Sequence, residues 1–278
     1  MTGRAWTIPM RFLPWLPSRC WQVELPHLPA RRRQVLTPRP TTSPRSETAS
    51  VGGIGLQTSL SFASTTSQNG SVQIEFFESS GDPLALTLEG LGSDSSFNFD
   101  LNRGESIVVQ TDGLGGIKAG YSRISTTGGI GGSAVFRRTD VPSGILETES
   151  GVPSARPLNF FSVFVVTTGD ADTGLALANP GPAPAGEAAA IGLKLFDMSG
   201  ALLAESELEL GTGQHTAQFV TQLFPDVEGI DEMRGLLEVS SPVPIVAVTL
   251  LQNDDPATPF PEDVGTLTAF PVLEGTIP

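Results

Sequence analysis

The ten residues Ile191 to Gly200, IGLKLFDMSG, decide the fold, because a second version of them stands earlier in the chain. Val72 to Gly81 reads VQIEFFESSG. In both, an alternating apolar run leads into a Phe, an acid, a Ser and a Gly: Phe77-Glu78-Ser79-Ser80-Gly81 matches Phe196-Asp197-Met198-Ser199-Gly200. The correspondence extends to the end of the chain. Phe77 to Phe196 is an offset of 119, and Gly104 to Gly213 one of 109. Gly120–Ser125 and Gly235–Ser240 are 115 apart, as are Ser133–Arg137 and Val248–Gln252. Each change of offset falls in a turn, where insertions are tolerated.

The segments between these anchors alternate as half-buried strands do. Leu56, Thr58, Leu60 and Phe62 share one face. Leu202, Ala204, Ser206, Leu208 and Leu210 share another, with Glu205, Glu207 and Glu209 opposite, a pattern that a helix would scatter around its axis. Glycine (31) and proline (23) are abundant, and only 17% of residues are charged. Short apolar runs between clusters of Gly, Ser, Asp and Asn indicate many strands joined by turns. The fold class expected is all-β: two tandem antiparallel β-sandwich, immunoglobulin-like domains with a disordered N-terminal tail. The Cys and Trp hallmarks of antibody domains are absent from the body. One longer continuous sandwich is the alternative.

The expected domains are a tail over residues 1–50, a first sandwich over 51–152 and a second over 153–278, with Val152–Pro157 as the Pro-bearing link. All three Trp, the lone Cys20 and 8 of the 23 Pro lie in residues 1–50, with no helical or strand period. Prolines 9, 14 and 17 with Arg11 and Arg19 break any signal-peptide core. An unstructured basic tail, or sequence upstream of the natural start, is expected there, against the alternative of a basic aromatic arm that touches a membrane or polyanion. The second half opens on an apolar strand, Phe160–Val166, whose counterpart should lie near residues 40–50. That region reads TTSPRSETAS, which cannot pack as a strand. The first sandwich is therefore expected to have an unpaired edge that a neighbouring segment fills, or to have lost a natural strand.

These residues resemble a class of tandem β modules near the C-termini of exported bacterial proteins, notably from soil phyla such as Acidobacteria. The resemblance rests on Gly53–Leu60 (GIGLQTSL), Phe76-Phe77-Glu78, Gly81-Asp82-Pro83-Leu84, Ala134-Val135-Phe136-Arg137 and Thr173–Pro180 (TGLALANP). Gly213-Gln214-His215, Leu223-Phe224-Pro225 and Phe270-Pro271-Val272-Leu273 complete it. It covers roughly residues 51–275 and none of 1–48. It implies export and a surface or adhesive setting, with an apolar strand ahead of the GxGxQT-like start, and supplies no catalytic or binding residues.

Charge narrows the partners. The net charge is −14, yet residues 1–50 carry 8 Arg and 2 Glu. The remainder holds 8 Lys and Arg against 28 Asp and Glu. An acidic body repels nucleic acid. A single cysteine excludes an intrachain disulfide and a Cys-based zinc site. No run approaches the roughly 18 apolar residues of a spanning helix.

Candidate chemistry is sparse. The body has one histidine, His215, placed after a turn where the first half has Ser106; a triad would need a nucleophile and an acid beside it. Gly128–Ser133 is glycine-rich but lacks the Gly-Lys-Ser/Thr of a phosphate loop, and reads as a hairpin or bulge. Asn69-Gly70-Ser71 matches a glycosylation sequon and is also a turn signal. Asp170, Asp172, Asn253-Asp254-Asp255, Asp226, Glu228, Asp231 and Glu232 offer oxygens for calcium without the spacing of an EF-hand. The expectation is therefore no enzyme, no cofactor, and no catalytic, cofactor-binding or metal set. The function expected is a non-enzymatic extracellular or cell-surface structural or adhesion module facing a surface protein or glycan. The alternative is a carbohydrate-binding or calcium-binding sandwich accessory to a secreted enzyme. A carbohydrate module would need exposed aromatics, and the body has only Tyr121 and Phe at mostly inward positions.

Overall fold

The computed structural model of the chain describes residues 4–10, 54–113, 118, 120–140, 142–180, 188–253 and 266–275. Those residues are almost entirely β. The first half contains β1 (Arg4–Met10), β2 (Ile54–Ser64), β3 (Gly70–Glu78), β4 (Leu86–Leu88), β5 (Gly92–Asp94), β6 (Ser96–Leu101), β7 (Ser106–Gln110), β8 (Gly120–Thr126), β9 (Ile130–Asp140) and β10 (Ile145–Pro153). The second contains β11 (Leu158–Thr167), β12 (Ala171–Ala178), β13 (Ala189–Asp197), β14 (Leu202–Leu210) and β15 (His215–Phe219), then the single-turn helix α1 (Val220–Leu223). After a 3-10 turn at Ile230–Glu232 come β16 (Met233–Asn253), β17 (Thr266–Phe270) and β18 (Leu273–Glu274).

In the first half, the sheet β1-β8-β3-β6 and the sheet β10-β9-β2-β7 bury their inner faces in one core. Val72, Ile74 and Phe76 of β3 and Ile124 of β8 come from one sheet. Leu60 and Phe62 of β2, Val109 of β7 and Ala134 of β9 come from the other. This is the alternation read in the sequence, with Leu60 and Phe62 inward as expected. The β4–β5 hairpin adds Leu86 and Leu88.

In the second half the long strand β16 joins the ladders into one eight-stranded sheet. Residues 235–240 of β16 lie between β11 and β13; residues 246–253 pair with β12, and of these 249–253 pair with β17 on the other side. The crossing is at Ser241-Pro242-Val243-Pro244, where both prolines are exposed and no ladder donor is needed. The first half makes the same crossing through the Thr127–Gly129 turn between β8 and β9.

Ladder registers show that the halves are built alike. Ile74 faces Ile124 where Leu193 faces Val239. Ser59 faces Gln110 and Val135 where Gly174 faces Phe219 and Leu250. These equivalences carry the offsets of 119, 115 and 109 found in the sequence. One departure from an immunoglobulin domain stands out. There the last strand follows its neighbour in the same sheet, whereas β9 leaves β8 and pairs with β2 across the core.

Several expectations are corrected. Residues 4–10, placed in an unstructured tail, form β1 and pair along β8 from Arg4↔Thr126 to Met10↔Gly120. Trp6 faces Ile124 as Phe161 faces Val239, so β1 holds in the first half the place that β11 holds in the second. Strand pairing needs only a free edge and carries no local sequence signal, so the composition of residues 1–50 could not reveal it. The rest of that segment, including Cys20 and Arg31-Arg32-Arg33, lies outside the described residues.

The Pro-bearing link is shorter than expected, because β10 continues through Pro153 against Ser133. β14 has the expected Glu face, but as an edge strand it leaves Leu202 and Leu203 exposed and buries only Leu210 fully. Among the described residues no helix is long and apolar enough to cross a membrane.

Candidate functional site

The polar and aromatic side chains that gather most closely do so where the two halves touch. The turn after β3 and the turn before β15 supply the backbone. Asn179, fully buried at the end of β12, organises the second of these turns. Its N–H donates to the Gln214 carbonyl (2.9 Å), its carbonyl accepts from Gly213 N–H (2.8 Å), and its side-chain amide donates to the Leu210 carbonyl (3.0 Å). An Asn-Pro pair ahead of a loop is a turn signal; burial turns that Asn into a clamp on another turn.

The clamp delivers His215 to the joint. Its backbone N–H donates to the Ser79 carbonyl of the first half (3.2 Å). Its ring lies 5.9 Å from that of Tyr121, tilted by 47°. Tyr121 is buried and stacks on Phe77 at 5.1 Å. The Arg123 guanidinium sits 4.9 Å from the Phe77 ring centre, a cation–π contact, and pairs with Glu75 at 3.0 Å. Burial pushes the Tyr121 hydroxyl up to about 12, against the opposing pull of Arg123 and with a smaller push from Glu75. The phenol therefore stays protonated at physiological pH and serves packing.

A separate apolar contact also joins the halves: Val152 of β10 packs with Val248 and Leu250 of β16, flanked by Phe136, Ala155 and Ala269. Arg156 pairs with Glu274 at the rim. The joint thus combines an apolar patch with a histidine–aromatic–arginine stack.

The remaining candidates are dispersed. Gly128 and Gly129 form the β8–β9 turn, both with positive φ, and pack on the Asn69-Gly70 backbone and on Thr66. Asn69 is exposed, and its side-chain oxygen accepts the Arg103 N–H (3.0 Å). Asp170 is exposed in the β11–β12 turn, while Asp172 accepts from the Thr221 hydroxyl. Asn253 faces Ala171 across the ladder. Asp254 and Asp255 lie outside the described residues. Asp226, Glu228, Asp231 and Glu232 are exposed around the 3-10 turn. Among the described residues no three His, Cys, Asp or Glu groups come together as a metal site. Glu205 pairs with Lys194 (2.9 Å) on the outer face of β13–β14. Phe164 is the one aromatic among the large exposed apolar side chains of the described residues.

Two buried ionisable features escaped the sequence reading. Arg138 of β9 and Glu147 of β10 form an ion pair at 2.7 Å with both side chains about nine-tenths buried. A bulge between Leu146 and Thr148 turns Glu147 toward Arg138. Asp112, just after β7, is buried, and burial with the nearby Glu89 charge raises its carboxyl to about 6. Neither belongs to a motif; only the paired strands bring them into place.

No protein-family model and no curated protein sequence matches the chain.

Proposed function

We propose that the chain is a non-enzymatic structural or adhesion module of the bacterial cell surface or extracellular space, made of two tandem immunoglobulin-like sandwiches, the first built from β1 to β10 and the second from β11 to β18. The observation that carries this reading is the use made of His215. The one histidine of the body, the group best suited to acid–base work near neutrality, is built into the joint by its backbone bond to Ser79 and its packing on Tyr121. The repeated ladder registers support the tandem arrangement, with the crossing of β9 as its departure from the immunoglobulin plan. The resemblance to exported tandem β modules supports the surface setting. Surface proteins or glycans are the partners this implies.

The test is binding of the purified chain to panels of immobilised surface proteins and glycans, with and without a calcium chelator. Binding that survives the His215→Gln substitution, the paired Asp170→Asn and Asp172→Asn substitutions, and chelation supports the reading. A hydrolytic turnover abolished by His215→Gln in a folded chain overturns it. Binding lost on chelation assigns the chain to the calcium-binding alternative.

A further inference from the structure

We propose that β1 is an exchangeable strand: the β8 edge of the first half accepts residues 4–10 of a second copy of this chain, and two copies assemble by reciprocal strand exchange. The inference rests on strand pairing alone and holds whatever the surface role of the module.

The β8 edge is a strand acceptor by construction. β8 pairs with β3 on one side, and its other side is closed only by β1 in the path β1-β8-β3-β6. The equivalent side of β16 is closed by β11 in the same register, Phe161↔Val239 against Trp6↔Ile124. Without an occupant, β8 would present a row of unpaired N–H and C=O groups, the usual template for a strand from another chain.

Connectivity separates the two occupants. β11 is tied to β12 through Thr168, Gly169 and Asp170 alone, so it can close only its own half. β1 is joined to β2 through the 43 residues 11–53. At a maximum of about 3.4 Å per residue, such a length reaches on the order of 140 Å, well past a neighbouring copy. Exchange replaces each contact of β1 with the identical contact made by a second chain, so the dimer loses nothing at the slot.

The experiment uses full chains in which Cys20 is replaced by Ser. Ala5 lies directly opposite the half-buried Ser125 in the ladder, and opposed residues on antiparallel strands are within disulfide range. One chain carries Ala5→Cys and the other Ser125→Cys. Mixed, unfolded, refolded together and oxidised, they should give a mixed disulfide of twice the chain mass whose yield rises with protein concentration. A chain carrying both substitutions should then link within itself when dilute and between chains when concentrated.

The proposal is overturned if the doubly substituted chain links only within itself at every concentration. It is also overturned if the Ala5→Cys chain does not link to the Ser125→Cys chain at any concentration. Equal yield between Ala5→Cys and Ser199→Cys, in the exposed β13–β14 turn, would signal random collision and overturn it too. The pair Thr7→Cys with Arg123→Cys repeats the test at another register position, should Ser125→Cys fail to fold.

Discussion

Gly81 and Gly213 meet backbone to backbone at the joint: a methyl group placed on Gly81 would lie 3.0 Å from both the carbonyl carbon and oxygen of Gly213. Both residues hold positive φ, 94° and 80°. Two residues on, the His215 N–H reaches the Ser79 carbonyl. The two turns can approach this closely because neither carries a side chain, and their left-handed backbone suits glycine. Gly81 and Gly213 are among the residues through which the sequence repeat was first seen, but they are not equivalent copies; they are partners.

Replacing Gly81 by Ala should therefore cost more than an ordinary glycine substitution. The left-handed backbone alone costs about 1–2 kcal/mol, and the contact with Gly213 adds to it. Gly90→Ala is the control: its φ is 75°, and nothing lies within 4 Å of the added methyl. Urea unfolding of both variants checks this, and the difference between them reads the joint. Equal losses would mean that the joint contributes no measurable stability.

The Arg138–Glu147 pair should be costly to break and cheap to replace. Glu147→Gln leaves a buried guanidinium without its countercharge, with an expected loss of about 3–5 kcal/mol. Replacing both, with Arg138→Met and Glu147→Leu, should recover most of that loss, because no charge then remains buried. A double-mutant cycle measured by denaturant unfolding decides the point. Additive losses would show that the pair is not coupled.

Asp112 gives the stability a pH signature. Its folded carboxyl titrates near 6, above the model-peptide value of 3.8. The folded state therefore holds the proton more tightly than the unfolded chain does. This contribution is fully present below about pH 4, is lost as pH rises through about 6, and is absent above it. Asp112→Asn should remove that slope and stabilise the chain at pH 7–8 relative to the parent, by at most about 3 kcal/mol. Melting curves of both proteins between pH 4 and 8 provide the measurement; parallel curves would refute the assignment.

Ile74 and Leu193 test whether the halves have separate cores. Each is fully buried at the equivalent ladder position of its own half. Truncation to Ala should cost about 2–5 kcal/mol in either case. In calorimetry, Ile74→Ala is expected to lower one transition and Leu193→Ala the other. Identical shifts of a single transition would show that the joint makes the two halves one cooperative unit.

Much of the fold was legible because its causes are local. A period of two with Gly and Asn turns defines β3, β6, β7, β13 and β14 within a residue or so of where they lie. The offsets of 119 and 115 read in the sequence are those that relate the ladder pair Ile74↔Ile124 to Leu193↔Val239, although the pairing itself is seen only in the sheets. β10 is not legible in the sequence, because ILETESGVP does not alternate cleanly: Ile145 and Leu146 are exposed, and its glutamates pair with arginines of the neighbouring strand. Glu147 and Glu149 meet Arg138 and Arg137.

The amino-acid sequence by itself determined the class of structure, the strand-by-strand repeat and the absence of a disulfide framework, since these follow from periodicity, turn residues and one cysteine. Only the tertiary structure decided that residues 4–10 complete the first half, that Gly81 lies against Gly213, and that His215 packs on Tyr121. The physical reason is common to all three. Each depends on which edges and turns remain open after the local strands have paired, and that is a property of the assembled sheets, carried by residues up to a hundred or more positions apart.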